Sequence, residues 1–169
     1  MFPCTSERRR MMSITFNGRV LIIDDDAPKL NAIKECLKTE VGIEHPDVAK
    51  SLTSAIRAIA QNSYDLCIID MSLPTYDFEE DKSGGDPQAK GGIDVLRFIQ
   101  SESPTTKAII ISQYDEFPDG RGSVTLDELT DQLLGKFKRN LLAVLFYASQ
   151  KSEWRNRLKT EISRSNDEH

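Results

Sequence analysis

The sequence predicts an α/β protein in which helices cover both faces of a parallel sheet. Short, almost continuously apolar runs alternate with segments whose apolar residues recur at helical spacing. Parallel neighbours in a sheet need crossover helices, and this requirement explains such an alternation. The composition agrees, because 38% hydrophobic and 29% charged residues in a chain of 169 supply one packed core and a polar surface.

The first part of the pattern contains two strands and two helices. Residues 19–23 are almost continuously apolar up to a run of acids, which is typical of a strand buried on both faces. The apolar residues of 27–41 recur at helical spacing, and Asp26 is a suitable cap for that helix. A short strand at 47–50 and a helix at 53–61 complete this part.

The remaining elements continue the alternation to the end of the domain. In chain order they are a strand at 64–69, a helix at 93–100, a strand at 107–111, a helix from 125 to about 137, a strand at 141–147 and a helix at 153–162. Thr125 and Glu128 form the capping-box pattern that opens the helix at 125. We therefore expect five strands and five helices.

These elements form a single predicted domain spanning residues 19–162. Residues 1–18 are expected to be a flexible N-terminal leader, and residues 163–169 a C-terminal tail. Two polar segments with glycines, at about 75–92 and 115–123, interrupt the pattern and are predicted to be insertion loops.

The composition excludes several function classes. A formal net charge of −5 gives no overall basic surface for nucleic acid, and no apolar run is long enough for a membrane span or a signal peptide. His45 beside Pro46 and the terminal His169 are poorly placed for histidine-based catalysis or metal binding. Three scattered cysteines do not make a disulfide framework. We expect a cytoplasmic protein with no membrane partner.

Acidic side chains follow two of the predicted strands. Asp24 and Asp25 end the first strand and Asp70 ends the third, and ligands of open parallel sheets bind beyond the carboxyl ends of the strands. Carboxylates brought together there repel one another, and Mg²⁺, which prefers oxygen ligands, removes that repulsion. A carboxylate beside Mg²⁺ is also a possible nucleophile toward phosphorus.

Four segments carry a specific combination of signals: an acid pair after the first strand, an Asp four residues before a Pro, and a strand that ends in Ser. They are Val20-Leu-Ile-Ile-Asp24-Asp25-Asp26, Ile68-Ile-Asp70-Met-Ser-Leu-Pro74, Gly92-Ile-Asp-Val-Leu96 and Ala108-Ile-Ile-Ile-Ser112. Together they resemble the receiver domain of two-component response regulators. The resemblance implies a doubly wound, CheY-like (flavodoxin-type) sheet of five parallel strands in the order 2-1-3-4-5, flanked by five helices.

The resemblance also implies a role for each matching residue. Asp70 corresponds to the phosphoacceptor, and Asp24 and Asp25 correspond to the acid pair that holds Mg²⁺, Asp25 more directly. Ser72 stands where the family uses a backbone carbonyl as a further metal ligand. Ser112 corresponds to the switch hydroxyl that bonds the phosphoryl group and pulls the following loop inward.

The implied function is signalling. The resemblance implies a phosphoryl donor that is a histidine kinase or a phosphotransfer protein, and an unidentified downstream protein that meets the fourth helix, fifth strand and fifth helix. An enzyme is not expected: a phosphatase that uses an Asp after a strand would carry a second acid two residues on, where this chain has Ser72.

One hallmark of the family is missing. Receiver domains carry a Lys at the end of the fifth strand, which pairs with the phosphoacceptor and neutralises phosphoryl charge; counting back from the last helix, that position falls near Ser149. Lys151 is the nearest lysine, and Phe146 or Tyr147 could be the aromatic partner of the switch hydroxyl or core residues. The departure leaves an alternative open: a pseudo-receiver that is never phosphorylated and acts as an interaction or scaffold module.

Overall fold

The computed structural model describes residues 16–76, 90–118, 120 and 122–167. The N-terminal residues 1–15 and residues 77–89 of the first insertion lie outside that range. The elements are β1 (Val20–Ile23), α1 (Ala27–Cys36), β2 (Asp47–Ala49), α2 (Leu52–Gln61), β3 (Leu66–Asp70), α3 (Gly91–Glu102), β4 (Lys107–Ser112), β5 (Glu116–Pro118), β6 (Ser123–Thr125), α4 (Leu126–Lys136), β7 (Leu141–Phe146) and α5 (Glu153–Asp167).

The main sheet has five parallel strands in the order β2-β1-β3-β4-β7. The predicted fold class and strand order are therefore confirmed, with β7 as the fifth strand of the sheet. The central strands β1 and β3 are buried along their whole length, as their apolar sequences require. Their register pairs Ile23 with Ile69, so the residues that follow both strands emerge side by side.

Two apolar layers hold the sheet between its helices. One face packs against α2, α3 and α4, through residues such as Ile59, Ile99 and Leu133. The other face packs against α1 and α5, where Ile33 and Leu158 are buried. The helical periods of the sequence thus place one stripe of each helix on the sheet.

The second predicted insertion loop is partly ordered structure. Strand β5 lies inside the predicted loop 115–123 and pairs in antiparallel fashion with β6, which begins at its last residue; Phe117 faces Val124 and both are buried. The polar residues and glycines around them favour a loop. Each of the two strands has three residues, of which only the middle one is buried. A period of two cannot be recognised in so short a segment.

The helix ends also differ from the predicted ones. Helix α1 ends at Cys36 and continues as a π-helical turn, Leu37–Val41, which stops at Gly42 with a φ of 75°. Helix α5 extends to Asp167, into the predicted tail. Phe16, inside the predicted leader, is buried and its N–H donates to Val41 O at 3.2 Å.

None of the helices in the described part of the chain combines the length and the apolar character that a bilayer span requires.

Candidate functional site

Three carboxylates meet at the carboxyl edge of the sheet. Asp24 and Asp25 follow β1, and Asp70 ends the neighbouring strand β3. One oxygen from each carboxylate lies within 4.8 Å of the other two. Asp24 and Asp70 are buried, with 1% and 6% of their surface exposed, whereas Asp25 is exposed. The convergence expected from the strand ends is what the structure shows.

A lysine that the sequence analysis did not select lies at the centre of this cluster. Lys29 comes from the first turn of α1, and its side chain is fully buried. Its Nζ is 3.0 Å from Asp24 Oδ2 and 2.9 Å from Asp70 Oδ1, and it donates a hydrogen bond to Ile111 O at 3.0 Å. One ammonium group therefore joins the ends of β1, β3 and β4.

The start of α1 brings Lys29 into this position. Pro28 lies in the first turn, where its missing N–H costs no helical hydrogen bond. Asp26 occupies the N-cap position, as predicted, but its side chain makes no cap hydrogen bond; its N–H instead donates to Asp24 Oδ1 at 2.9 Å. Lys29 shares the inward face of the helix with Ile33 and Cys36, which are spaced four and seven residues on.

The charges of the cluster are strongly coupled. Burial raises the pKa of the Asp70 carboxyl and Asp24 adds to the rise, while Lys29 and the Ser72 N–H oppose it. Burial lowers the pKa of Lys29, but the carboxylates of Asp70 and Asp24 outweigh it and the net pKa is raised. Lys29 is therefore a cation. Partial burial also raises the pKa of Asp25.

A negative excess remains after Lys29 is counted. Three carboxylates and one ammonium sum to a formal charge of −2 at one edge of the sheet. The donor set consists of oxygens only, and Asp25 is exposed to an approaching ion. This donor set and charge fit a hard divalent cation such as Mg²⁺.

The predicted switch residue lies at the end of the neighbouring strand. Ser112 ends β4 and is fully buried. Its hydroxyl donates to Tyr114 O at 2.7 Å and accepts from the Tyr114 N–H at 3.0 Å. Ile111, the residue before it, accepts from Lys29. The hydroxyl is thus held by its own loop in this structure, and that loop leads into β5.

The segment after Asp70 fits closely against the start of α3. The Ser72 N–H donates to Asp70 Oδ1 at 3.3 Å. The Gly92 N–H donates to Met71 O at 2.8 Å, and a Cβ on Gly92 would lie 2.6 Å from Asp70 O. Only a glycine allows the start of α3 to approach β3 this closely, so Gly92 helps to position the backbone of Asp70.

The residues considered for the fifth strand lie outside the cluster. Lys151 is exposed, and its N–H donates to Ala148 O at 3.0 Å in a turn. Phe146 is 45% exposed and Tyr147 packs against Trp154 with ring centroids 5.1 Å apart. The ammonium group that pairs with Asp24 and Asp70 in the described part of the chain is that of Lys29.

A signal for Lys29 was present in the sequence. A lysine on the apolar face of a helix, one turn after an acid run, has to bury its charge against a partner. The predicted start of the helix at 27, after the cap Asp26, agrees with the structure. The contact of Lys29 with acids from two strands depends on how the helix packs on the sheet, which helical spacing alone does not determine.

Comparison with known proteins decides the family. The family model of the response regulator receiver domain matches residues 20–143. The chain belongs to the response regulator receiver family.

Two relatives that are distant in sequence match most of the chain. The Detocs response regulatory protein DtcB of Enterobacter cloacae (strain JD6301) is 23% identical over 147 residues, which are 86% of this chain and 98% of that protein. The response regulator domain of Thermotoga maritima CheB superposes with a TM-score of 0.61 at 15% identity, covering 88% of this chain and 96% of that one.

A third similar structure is the CheY-like receiver domain protein of Methanospirillum hungatei JF-1. It superposes with a TM-score of 0.57 at 18% identity, covering 89% of this chain and 98% of that one. At this level of identity the structural matches establish the fold. The receiver domain is therefore a two-component signalling module by family and a CheY-like sheet by structure.

Proposed function

We propose that this receiver domain accepts a phosphoryl group on Asp70 with Mg²⁺ bound, and that the modification changes its affinity for a downstream protein. The observation that carries the proposal is the arrangement of Asp70 at the end of β3, facing Asp24 and Asp25 from β1. The similarity to DtcB, which is a response regulatory protein, supports the same class of function.

The transfer needs a nucleophile and charge neutralisation. A carboxylate oxygen of Asp70 attacks phosphorus, the new O–P bond forms as the N–P bond of a donor phosphohistidine breaks, and the released imidazole nitrogen takes a proton from solvent. Asp25, Asp24, Asp70 and the Ser72 backbone carbonyl are the residues that would hold Mg²⁺. When bound, the ion offsets the negative charge of the carboxylates and of the incoming phosphoryl group.

Ser112 is the proposed switch residue. Its hydroxyl bonds both backbone groups of Tyr114 in this structure. A phosphoryl oxygen on Asp70 competes for that hydroxyl, and its capture releases Tyr114 and the start of β5. An open cleft of about 410 Å³ adjoins this loop, lined by Asp115, Glu116, Thr125, Leu126, Asp127 and Phe146. The proposed signal therefore ends at a surface where a downstream protein could bind.

Intact mass after incubation with acetyl phosphate and Mg²⁺ tests the proposal. Wild type is expected to gain one phosphoryl group, and Asp70→Asn to gain none. Asp94→Asn is a matched control, because Asp94 is a half-exposed acid on α3 paired with Arg97 and lies outside the cluster. An adduct on Asp70→Asn would show that another acid is the acceptor. No adduct on folded wild type would favour the phosphorylation-independent interaction module.

A further inference from the structure

We infer that Lys29, on α1, supplies the phosphoryl-neutralising cation that receiver domains take from the end of their fifth strand. The inference rests on the proposed function and assigns a further residue to the same site. Lys29 lies on a helix, whereas the resemblance to receiver domains implies a lysine at the end of the fifth strand.

The fifth strand of the sheet, β7, and the segment after it provide no lysine near Asp70 in the described part of the chain. Strand β7 ends at Phe146, which pairs with Ser112 and is exposed. After it, Tyr147 packs on Trp154 and Lys151 is exposed in a turn. Within the described part of the chain, the segment from β7 to α5 sends no lysine to Asp70.

Lys29 lies beside both Asp70 and the strand that ends in Ser112. Its Nζ is in direct contact with the phosphoacceptor candidate, at 2.9 Å from Asp70 Oδ1. The same nitrogen donates to Ile111 O, so it also lies beside the strand that ends in Ser112. An ammonium between these two groups is within reach of an oxygen on a phosphoryl group attached to Asp70.

Phosphorylation of Asp70 adds negative charge to a cluster that is already acidic. Transfer to Asp70 replaces a carboxylate of charge −1 with an acyl phosphate of charge close to −2, in a setting where Asp24 and Asp25 are already negative. A buried cation fixed in advance stabilises such a charge without reorganisation. Asp24 Oδ2 lies 3.0 Å from Lys29 Nζ. This contact continues to hold Lys29 in place when the Asp70 oxygen that bonds phosphorus loses its negative charge.

A purely structural role for Lys29 is the competing explanation. In that role the ammonium only compensates two buried carboxylates, and its contact with a phosphoryl group has no consequence for the rate. The two explanations differ in the folded Lys29→Gln protein: a purely structural role lowers its stability and leaves the rate of adduct formation at saturating Mg²⁺ at the wild-type value.

The experiment measures the rate of adduct formation on the full chain from acetyl phosphate at saturating Mg²⁺. Lys29→Met and Lys29→Gln are compared with wild type. Lys29→Gln keeps hydrogen-bond donors at the cluster, and urea denaturation of each variant gives its stability separately from its rate. Lys34→Met, on the same helix, is the matched control, and circular dichroism verifies folding.

We expect a roughly 100-fold lower rate in the Lys29 variants, the order found when one positioned donor to a developing anion is removed. Unchanged rates at saturating Mg²⁺ in folded Lys29→Gln would overturn the inference. A loss in Lys151→Met with Lys29→Gln unaffected would do so too. An absent adduct on wild type is a separate result, which rejects the proposed function and this inference with it.

Discussion

Lys29 Nζ contacts Asp70 Oδ1 at 2.9 Å, and this single ion pair connects the first turn of α1 to the end of β3. Both side chains are buried, so the pair lies in a setting of low dielectric where its geometry matters. The ammonium reaches Asp24 and Ile111 as well, and the cation is fully partnered. One residue from a helix therefore links groups at the ends of three strands.

The first prediction concerns the stability of the protein without the Lys29 ammonium group. Lys29→Met leaves Asp24 and Asp70 buried and facing each other without a cation, and breaking a buried pair from one side costs about 3–5 kcal/mol of the free energy of unfolding. Urea denaturation measures the loss. The double variant with Asp24→Asn is expected to recover part of it, because one of the two charges is gone. A Lys29→Met protein as stable as wild type would mean that the carboxylates are not coupled through this lysine.

The second prediction concerns the metal. Asp25 is the exposed member of the acid cluster and the most accessible to an ion. Asp25→Asn removes one negative ligand and is expected to weaken Mg²⁺ binding about tenfold or more, measured by isothermal titration calorimetry. Asp26→Asn is the control, since Asp26 adjoins the cluster and is not one of its three ligand-bearing residues. Equal losses in both variants would indicate general electrostatics in place of coordination.

The sequence predicted the fold well because its signals are local and repeated. The buried runs that became β1 and β3 and the acids after them needed only strand pairing to bring Asp24 and Asp70 together. Lys29 was missed because its role depends on the direction of one side chain, which strand pairing does not determine. The β5–β6 pair was missed because one buried residue in each strand, Phe117 or Val124, is too short a pattern.

The third prediction contrasts two glycines. A Cβ at Gly92 would lie 2.6 Å from Asp70 O and 3.0 Å from Met71 Cα, so Gly92→Ala forces backbone apart and is expected to cost about 1–3 kcal/mol of unfolding free energy. A Cβ at Gly135, within α4, meets nothing within 4 Å. Gly135→Ala is therefore expected to stabilise the protein by up to about 1 kcal/mol. Denaturant unfolding of both variants measures the contrast, and a harmless Gly92→Ala would disprove the close approach.

The fourth prediction separates phosphorylation from switching. Ser112→Ala removes the hydroxyl that bonds both backbone groups of Tyr114, so the Tyr114 amide is expected to exchange with deuterium faster in the unmodified protein. The adduct on Asp70 should still form, whereas its effect on exchange around β5 should disappear. Ser112→Thr keeps the hydroxyl and is the control. Normal phosphorylation-dependent exchange in Ser112→Ala would assign the switch to another group.

The fifth prediction is a pH dependence on the far side of the domain. Tyr64 donates its hydroxyl to Asp47 Oδ2 at 2.7 Å, and burial, then Asp47, raise the pKa of Tyr64 from 10.0 to about 12. Because the folded pKa lies above the unfolded one, this stabilisation is complete below pH 10 and is lost as the pH rises toward 12. Wild type should therefore lose thermal stability faster than Tyr64→Phe between pH 10 and 12. The buried thiol of Cys67, whose pKa burial also raises to about 12, is present in both proteins and cancels in the comparison. Parallel curves for the two proteins would mean that folding does not raise the pKa of Tyr64.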